Sequence, residues 1–413
     1  MTESTQPTGP SAQHERLFTI VCALGIAQII SWGSFYYSIA VLGESMRRDL
    51  GVSETVLFGA FTFSLLLSGL AAPMTGKLID ERGGRLILSL GSCVGAAALL
   101  LLATATGPIT LVLGSAMAGV AMAACLYDAA FASMNQIAGA SYRKAVTALT
   151  LFGGFASTAF WPLSQVLLDA MGWRLTLAVY AGLQLFICLP LHRRLLPAHR
   201  AAAPASQASA AAGSVPGPAT ADYAWLAAAF ALGSFVLSVL SVHVISLLKS
   251  AGLGAKDAVL VASLFGPMQV LGRLLELAVA RNIRPMAIGT ISFALMVLAL
   301  VTLFFVQGLS PLAFLFAALY GFSNGLMTII RGTVPAALFG RVGYGALLGK
   351  LARPAFIARA LAPVAFSVAM TAGLVRGNAI LALAACAALS LAAYQLAIKK
   401  ASRLTQRTVE KKV

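Results

Sequence analysis

Twelve long apolar runs constrain this chain more than anything else in it. They lie at 18–43, 55–76, 86–106, 108–132, 145–169, 174–191, 223–247, 257–279, 286–306, 312–332, 354–375 and 378–398. An α-helix needs roughly 20 mainly apolar residues to cross a bilayer core. Only helices and closed barrels satisfy their own backbone in hydrocarbon. These runs are too long and too continuously apolar for barrel strands. The expected fold is therefore an all-α integral membrane protein with twelve transmembrane helices. Composition agrees: 59% of residues are apolar and 10% charged, against about 45–50% and about 25% in soluble proteins. A soluble enzyme, a disordered protein and a secreted disulfide scaffold are excluded, because no solvated exterior can be built from so little charge.

Residues 1–17 form a polar tail, and the first run is about 26 residues long. That exceeds a signal-peptide core of roughly 7–15 residues, so it reads as a retained first span. With twelve spans, one side of the membrane collects 22 Lys and Arg and the other 6. Cytoplasmic loops carry the excess, which puts both termini in the cytosol of a bacterial inner membrane. The net charge of +16 sits in short clusters between apolar runs. It needs no nucleic acid or other acidic partner, and a monomer in the lipid bilayer is expected.

From residue 195 to 222 the chain is dominated by Ala, Ser, Pro and Gly, a composition that cannot bury a core. The expected organisation is a cytosolic tail (1–17), a six-helix bundle (18–191), a flexible cytosolic linker (192–222), a second six-helix bundle (223–398) and a basic cytosolic tail (399–413). The halves echo each other. Gly76-Lys77-Leu78-Ile79-Asp80 and Gly272-Arg273-Leu274-Leu275-Glu276 both read glycine, cation, leucine, aliphatic, acid, at an offset of 196. Such repeats mark secondary transporters, whose substrate site lies between the halves.

The stretch from Gly76 to Arg85 resembles the loop 2–3 signature of the major facilitator superfamily, G-x-L-x-D-R-x-G-R-[RK]. Gly76, Leu78, Asp80, Gly83 and Arg85 match, and Glu81 and Gly84 depart. Gly172-Trp173-Arg174 is a further frequent feature of that family, and the resemblance covers the whole chain. It implies the facilitator fold and alternating access. It also implies that Gly76, Asp80, Gly83, Arg85, Gly272, Arg273 and Glu276 act as a gating latch. Trp161-Pro162-Leu163 looks most like the monocarboxylate and oxalate/formate branch, although no Asp–Arg pair stands in span eight. Spans one, four and five look like arsenical-export permeases. The drug/proton antiporter patterns fail at Ser115 and at Ala148, Ser157, Trp161, Gln165 and Val166.

Polar residues at helical spacing supply candidate substrate contacts: Gln28, Trp32 and Tyr36 in span one, Trp161 in span five, and Tyr320 and Asn324 in span ten. At this spacing side chains share a face. They line a wet cavity or bond to a neighbouring helix. Asp128 and Arg359 are charges inside apolar runs, and a charge near a span's centre costs at least ~2.5 kcal/mol. Asp128 is a candidate for the coupling proton and Arg359 for an anionic substrate; alternatively both join the latch. Cys22, Cys93, Cys125, Cys188 and Cys386 lack metal-ligand spacing, and read as packing residues or as a thiol path for a soft metalloid. No metal, cofactor or enzymatic activity is expected. Gly345 to Lys350 falls short of a phosphate loop. The expected function is ion-gradient-driven transport of a small molecule, a small organic anion, coupled to protons. The alternatives are an efflux permease for a toxic arsenical or drug-like compound and a non-transport polytopic protein.

Overall fold

A computed structural model describes residues 10–198, 220–278 and 283–410. Its described residues are helical, with no strand. Eleven helical segments are long and apolar enough to cross a membrane: Glu15–Leu50, Glu54–Arg82, Gly84–Ala103, Pro108–Ile137, Gly139–Leu195, Tyr223–Ser250, Lys256–Ala278, Pro285–Phe305, Pro311–Phe339, Tyr344–Met370 and Arg376–Ala401. The fifth has 57 residues, about 85 Å of helix at ~1.5 Å per residue, nearly three bilayer cores. It breaks at Gly172, whose φ of 77° and ψ of 168° no helix contains. The break makes it spans five and six, and the chain crosses twelve times.

Local chemistry sets the ends. Proline stands first in the helices that begin at Pro108, Pro285 and Pro311, where its missing N–H costs nothing. Span two starts under Ser53, whose hydroxyl accepts from Val56 N. It ends at Gly83, φ 84°, which turns directly into span three. Each half has its own core, one built from residues between Ile20 and Leu196, the other from residues between Leu226 and Ala397. Large apolar side chains such as Phe18, Ile109, Phe186 and Leu389 point outward, as a lipid-facing surface requires.

The helices differ from the expected runs at several ends. Span eleven begins at Tyr344, ten residues before 354, and carries Pro354 and Pro363 inside it. Its first turns hold Lys350 and Arg353, which made them resemble a loop. Span ten continues to Phe339, so Arg331 lies well inside the span and not at its end. Residues 10–17 and 399–410 are helical extensions of the first and last spans. Linker residues 199–219 lie outside the described residues, and 189–195 is helix.

Several spans have interior irregularities, and two of them shape the centre. Span one widens to a π turn at Gly33–Tyr37. Span four breaks at Leu126, extended with ψ −171°, between helices Pro108–Cys125 and Tyr127–Ile137. Irregular backbone within a membrane is tolerated where it is buried in protein or lines a cavity.

Candidate functional site

Both termini, the 82–84 turn, the 137–142 turn and the start of span eleven share one end of the bundle, here the terminal side. The halves are bonded together there. Asp80 places its two carboxylate oxygens 2.9 and 2.8 Å from the backbone N–H groups of Gly345 and Ala346. It thus occupies the positive N-terminus of span eleven. Gly76 lies against the Gly345 backbone so closely that a Cβ would collide with its carbonyl. In the second half Glu276 plays against the start of span five. It pairs with Arg143 at 2.7 Å and accepts from the Thr147 hydroxyl at 2.7 Å. Arg273 points inward, buried, and donates to the Thr150 carbonyl at 3.0 Å and to Thr328 Oγ1 at 3.4 Å. Gly272 packs on Phe322. Arg85 makes no ion pair among the described residues.

Further bonds across the halves join Asn135 to the Arg341 carbonyl, Arg341 to the Gly139 carbonyl, and Tyr142 to Tyr344. Among the described residues, the hydrogen bonds and ion pairs between halves all lie on the terminal side or near mid-membrane. The apolar contact of Ala72 with Ala352 and Phe356 belongs to the same closure. The structure is therefore closed on the terminal side.

Next to that closure, aromatic rings and arginines cluster near mid-membrane. Trp32 has Tyr36 at 5.4 Å, Tyr37 at 6.3 Å and Tyr127 at 5.2 Å between ring centroids. Tyr36 meets Phe61, and Tyr37 meets Trp161 edge-on at 6.0 Å. From the second half, Arg331 and Arg359 both approach the Phe356 ring, at 5.8 and 5.6 Å from its centroid. Arg331 reaches back across the interface to Asp128, with both carboxylate oxygens 3.2 Å from Nη2. Arg359 is half-buried. Its guanidinium has neither a hydrogen bond nor an ion pair to any described residue, and the groups that act on its charge are Arg331, Asp128, Tyr36 and Tyr37. Arg331 and Arg359 share one carboxylate, Asp128, so the centre carries an excess of positive charge.

The candidates from the sequence separate into two groups. Gln28 is fully buried and donates to the Cys125 carbonyl at 2.6 Å. Tyr320 donates to the Leu237 carbonyl at 3.1 Å and is covered by Phe265 and Phe316. Both tie helices within their own half. Trp32, Tyr36, Trp161 and Arg359 come together at the centre. Asn324 is half-buried one turn from Thr328, whose hydroxyl bonds its carbonyl. Among the serines of span seven, Ser238 donates to the Arg359 carbonyl and holds that helix turn in place.

Three residues escaped the sequence reading. Tyr37 belongs with Trp32 because the π turn inserts an extra residue and brings Tyr36 and Tyr37 to one face; Gly33 inside the aromatic run was the available signal. Arg331, second from the end of the 312–332 run, was counted with the loop charges. Arg143 was counted as loop charge. The cysteines stand apart from the centre: Cys125 and Cys188 are buried inside the first half, and Cys386 donates to a span-seven carbonyl. Beside the centre, an apolar cavity inside the first half is lined by Phe35, Leu42, Leu57, Phe61, Leu99 and Ser115. None of its lining residues is charged.

Comparison with known proteins agrees with this architecture. Among solved structures, the human organic anion transporter MFSD10 (TETRAN) superposes with a TM-score of 0.68 at 17% identity, covering 94% of this chain and 100% of that one. The transporter FucP in its outward conformation gives 0.67 at 14% identity, covering 91% and 98%. The proton:xylose symporter XylE gives 0.70 at 14% identity, covering 92% and 95%. At these identities the likeness concerns the fold. No curated protein matches the chain. The family profile described as Major Facilitator Superfamily matches residues 24–363. With most of its length matched by that profile and twelve crossings in two halves, this chain belongs to the Major Facilitator Superfamily of membrane transporters.

Proposed function

We propose that the protein carries a small organic anion across a bacterial inner membrane by alternating access, driven by the proton gradient, with the terminal side in the cytosol. The observation that carries this reading is Arg359. A half-buried guanidinium without a carboxylate partner is costly in a membrane, and an anionic substrate would satisfy it with a bidentate pair. Arg331 and Asp128 neutralise each other nearby, so Arg359 is the charge left over. The terminal-side closure suits an anion entering from the side opposite the termini. Asp128 is the proposed proton carrier: its protonation would release Arg331 and loosen one tie between the halves. The relatives described as proton symporters and as an organic anion transporter are compatible with both parts.

The test is equilibrium binding of a panel of small carboxylates to the purified protein and to Arg359→Lys. Lysine keeps the charge but loses the planar fork. Wild type is expected to bind at least one carboxylate, and Arg359→Lys to bind it at least tenfold more weakly, within the ~2–5 kcal/mol lost when a desolvated charge contact is broken. Unchanged affinity, or a transported substrate that is neutral or cationic, overturns the reading.

A further inference from the structure

Arg359 leaves the class of anion open, and the aromatic cluster whose Tyr36 and Tyr37 act on its charge narrows that class. The π turn at Gly33–Tyr37 is the device. In a regular helix, adjacent residues diverge by about 100° and Tyr36 and Tyr37 could not both face Trp32. Here both do, at 5.4 and 6.3 Å, and the two tyrosine rings meet each other at 5.3 Å. Trp161 closes the row from span five, 6.0 Å from Tyr37. Single-turn π insertions are uncommon and concentrate at functional sites.

The polar groups of this cluster are also unusual. Trp32 is 9% exposed, and its indole N–H is buried without an acceptor. An orphaned buried donor carries a penalty that folding alone has no reason to keep. Tyr36 and Tyr37 are half-buried, and neither hydroxyl bonds to another described residue. The free groups are therefore an indole donor, two phenol hydroxyls and one guanidinium, set around exposed ring faces and edges. A flat ring carrying one carboxylate needs what is present: aromatic edges and faces at 4.5–7 Å spacing, and one unpaired cation.

Building on the organic-anion reading, we infer that the ligand is an aromatic monocarboxylate. Its ring lies among Trp32, Tyr36, Tyr37 and Trp161, its carboxylate is on Arg359, and the Trp32 N–H donates to a ring substituent or carboxylate oxygen. One carboxylate suffices, since Arg331 is already paired with Asp128 and Arg273 is held by Thr150 and Thr328.

The experiment compares matched pairs that differ only in aromaticity: benzoate with cyclohexanecarboxylate, and phenylacetate with cyclohexylacetate. Binding to the purified full-length protein is followed by calorimetry, with benzyl alcohol and xylose as uncharged controls. Wild type should favour the aromatic member of each pair by about tenfold, the scale of two aromatic contacts beyond area alone. In Trp32→Leu that ratio should fall to about one. Tyr37→Leu, a milder change, should reduce it by at least threefold and serves if Trp32→Leu does not fold. Equal binding of the two members of each pair in wild type, or a ratio that survives in these variants, overturns the aromatic inference and leaves the organic-anion reading standing. Binding of an uncharged control with no carboxylate bound overturns both.

Discussion

Tyr142 and Tyr344, the first residues of the helices that open spans five and eleven, meet with their hydroxyls 2.8 Å apart. Both also reach the carbonyl of Gly332 in span ten. Two hydroxyl protons thus serve three oxygens in a buried site. The pair joins equivalent positions of the two halves, close to where the terminal-side closure is centred. Around it Asp80 approaches the start of span eleven, and Glu276 approaches the start of span five. The repeat legible in the loop sequences is thereby expressed as two acids holding two helix starts, one through backbone N–H groups and one through Arg143 and Thr147.

Tyr344→Phe should weaken this closure without touching the centre. One buried hydrogen bond is worth about 1 kcal/mol net, about a fivefold shift between conformations. Labelling of a single cysteine placed at Asn135, on the terminal side, should rise by about that factor in Tyr344→Phe compared with the same cysteine in the wild-type background. Equal labelling would show that the hydroxyl pair does not hold the halves together.

Asp80→Asn replaces a bidentate acceptor for two backbone donors with a group that accepts at one atom and donates at the other. Loss of such a cap costs about 0.5–2 kcal/mol, and it falls on one conformation only. Transport turnover should drop several-fold or more, while equilibrium substrate affinity stays within about threefold. A loss of affinity with unchanged turnover would place Asp80 in the binding machinery instead.

Asp128→Asn tests proton coupling. In proteoliposomes, exchange of substrate at equal concentrations should persist in this variant, while accumulation driven by a pH gradient should be lost. Removing the acid leaves Arg331 uncompensated beside Arg359, so tighter anion binding, by a few-fold, is the accompanying expectation. Loss of exchange as well as accumulation would identify the Asp128–Arg331 pair as a strut of the closure rather than a proton carrier.

The orientation rests on Lys and Arg bias. A reporter active only in the cytosol, inserted within residues 200–219 or fused after Val413, should be active at both places. A reporter active only outside the cytosol should be silent at both; activity there would reverse the proposed topology.

The twelve crossings were determined by the sequence alone, because the length and apolarity of a span are local properties that the bilayer tests one helix at a time. The Gly76–Asp80 and Gly272–Glu276 echo was equally visible, since a repeat needs no knowledge of contacts. The tertiary structure decided what periodicity could not. A 3.6-residue repeat grouped Gln28 with Trp32 and Tyr36, yet packing took Gln28 to the Cys125 carbonyl, and the π turn moved Tyr37 beside Trp32. Tyr320 shared a helical face with Asn324 but spent its hydroxyl on Leu237. Asp128 and Arg359 were both conspicuous as charges inside spans. Only folding paired Asp128 with Arg331, 203 residues away, and so left the Arg359 guanidinium with no hydrogen bond or ion pair among the described residues. Such pairings depend on how two separately built bundles meet, and no local pattern records that.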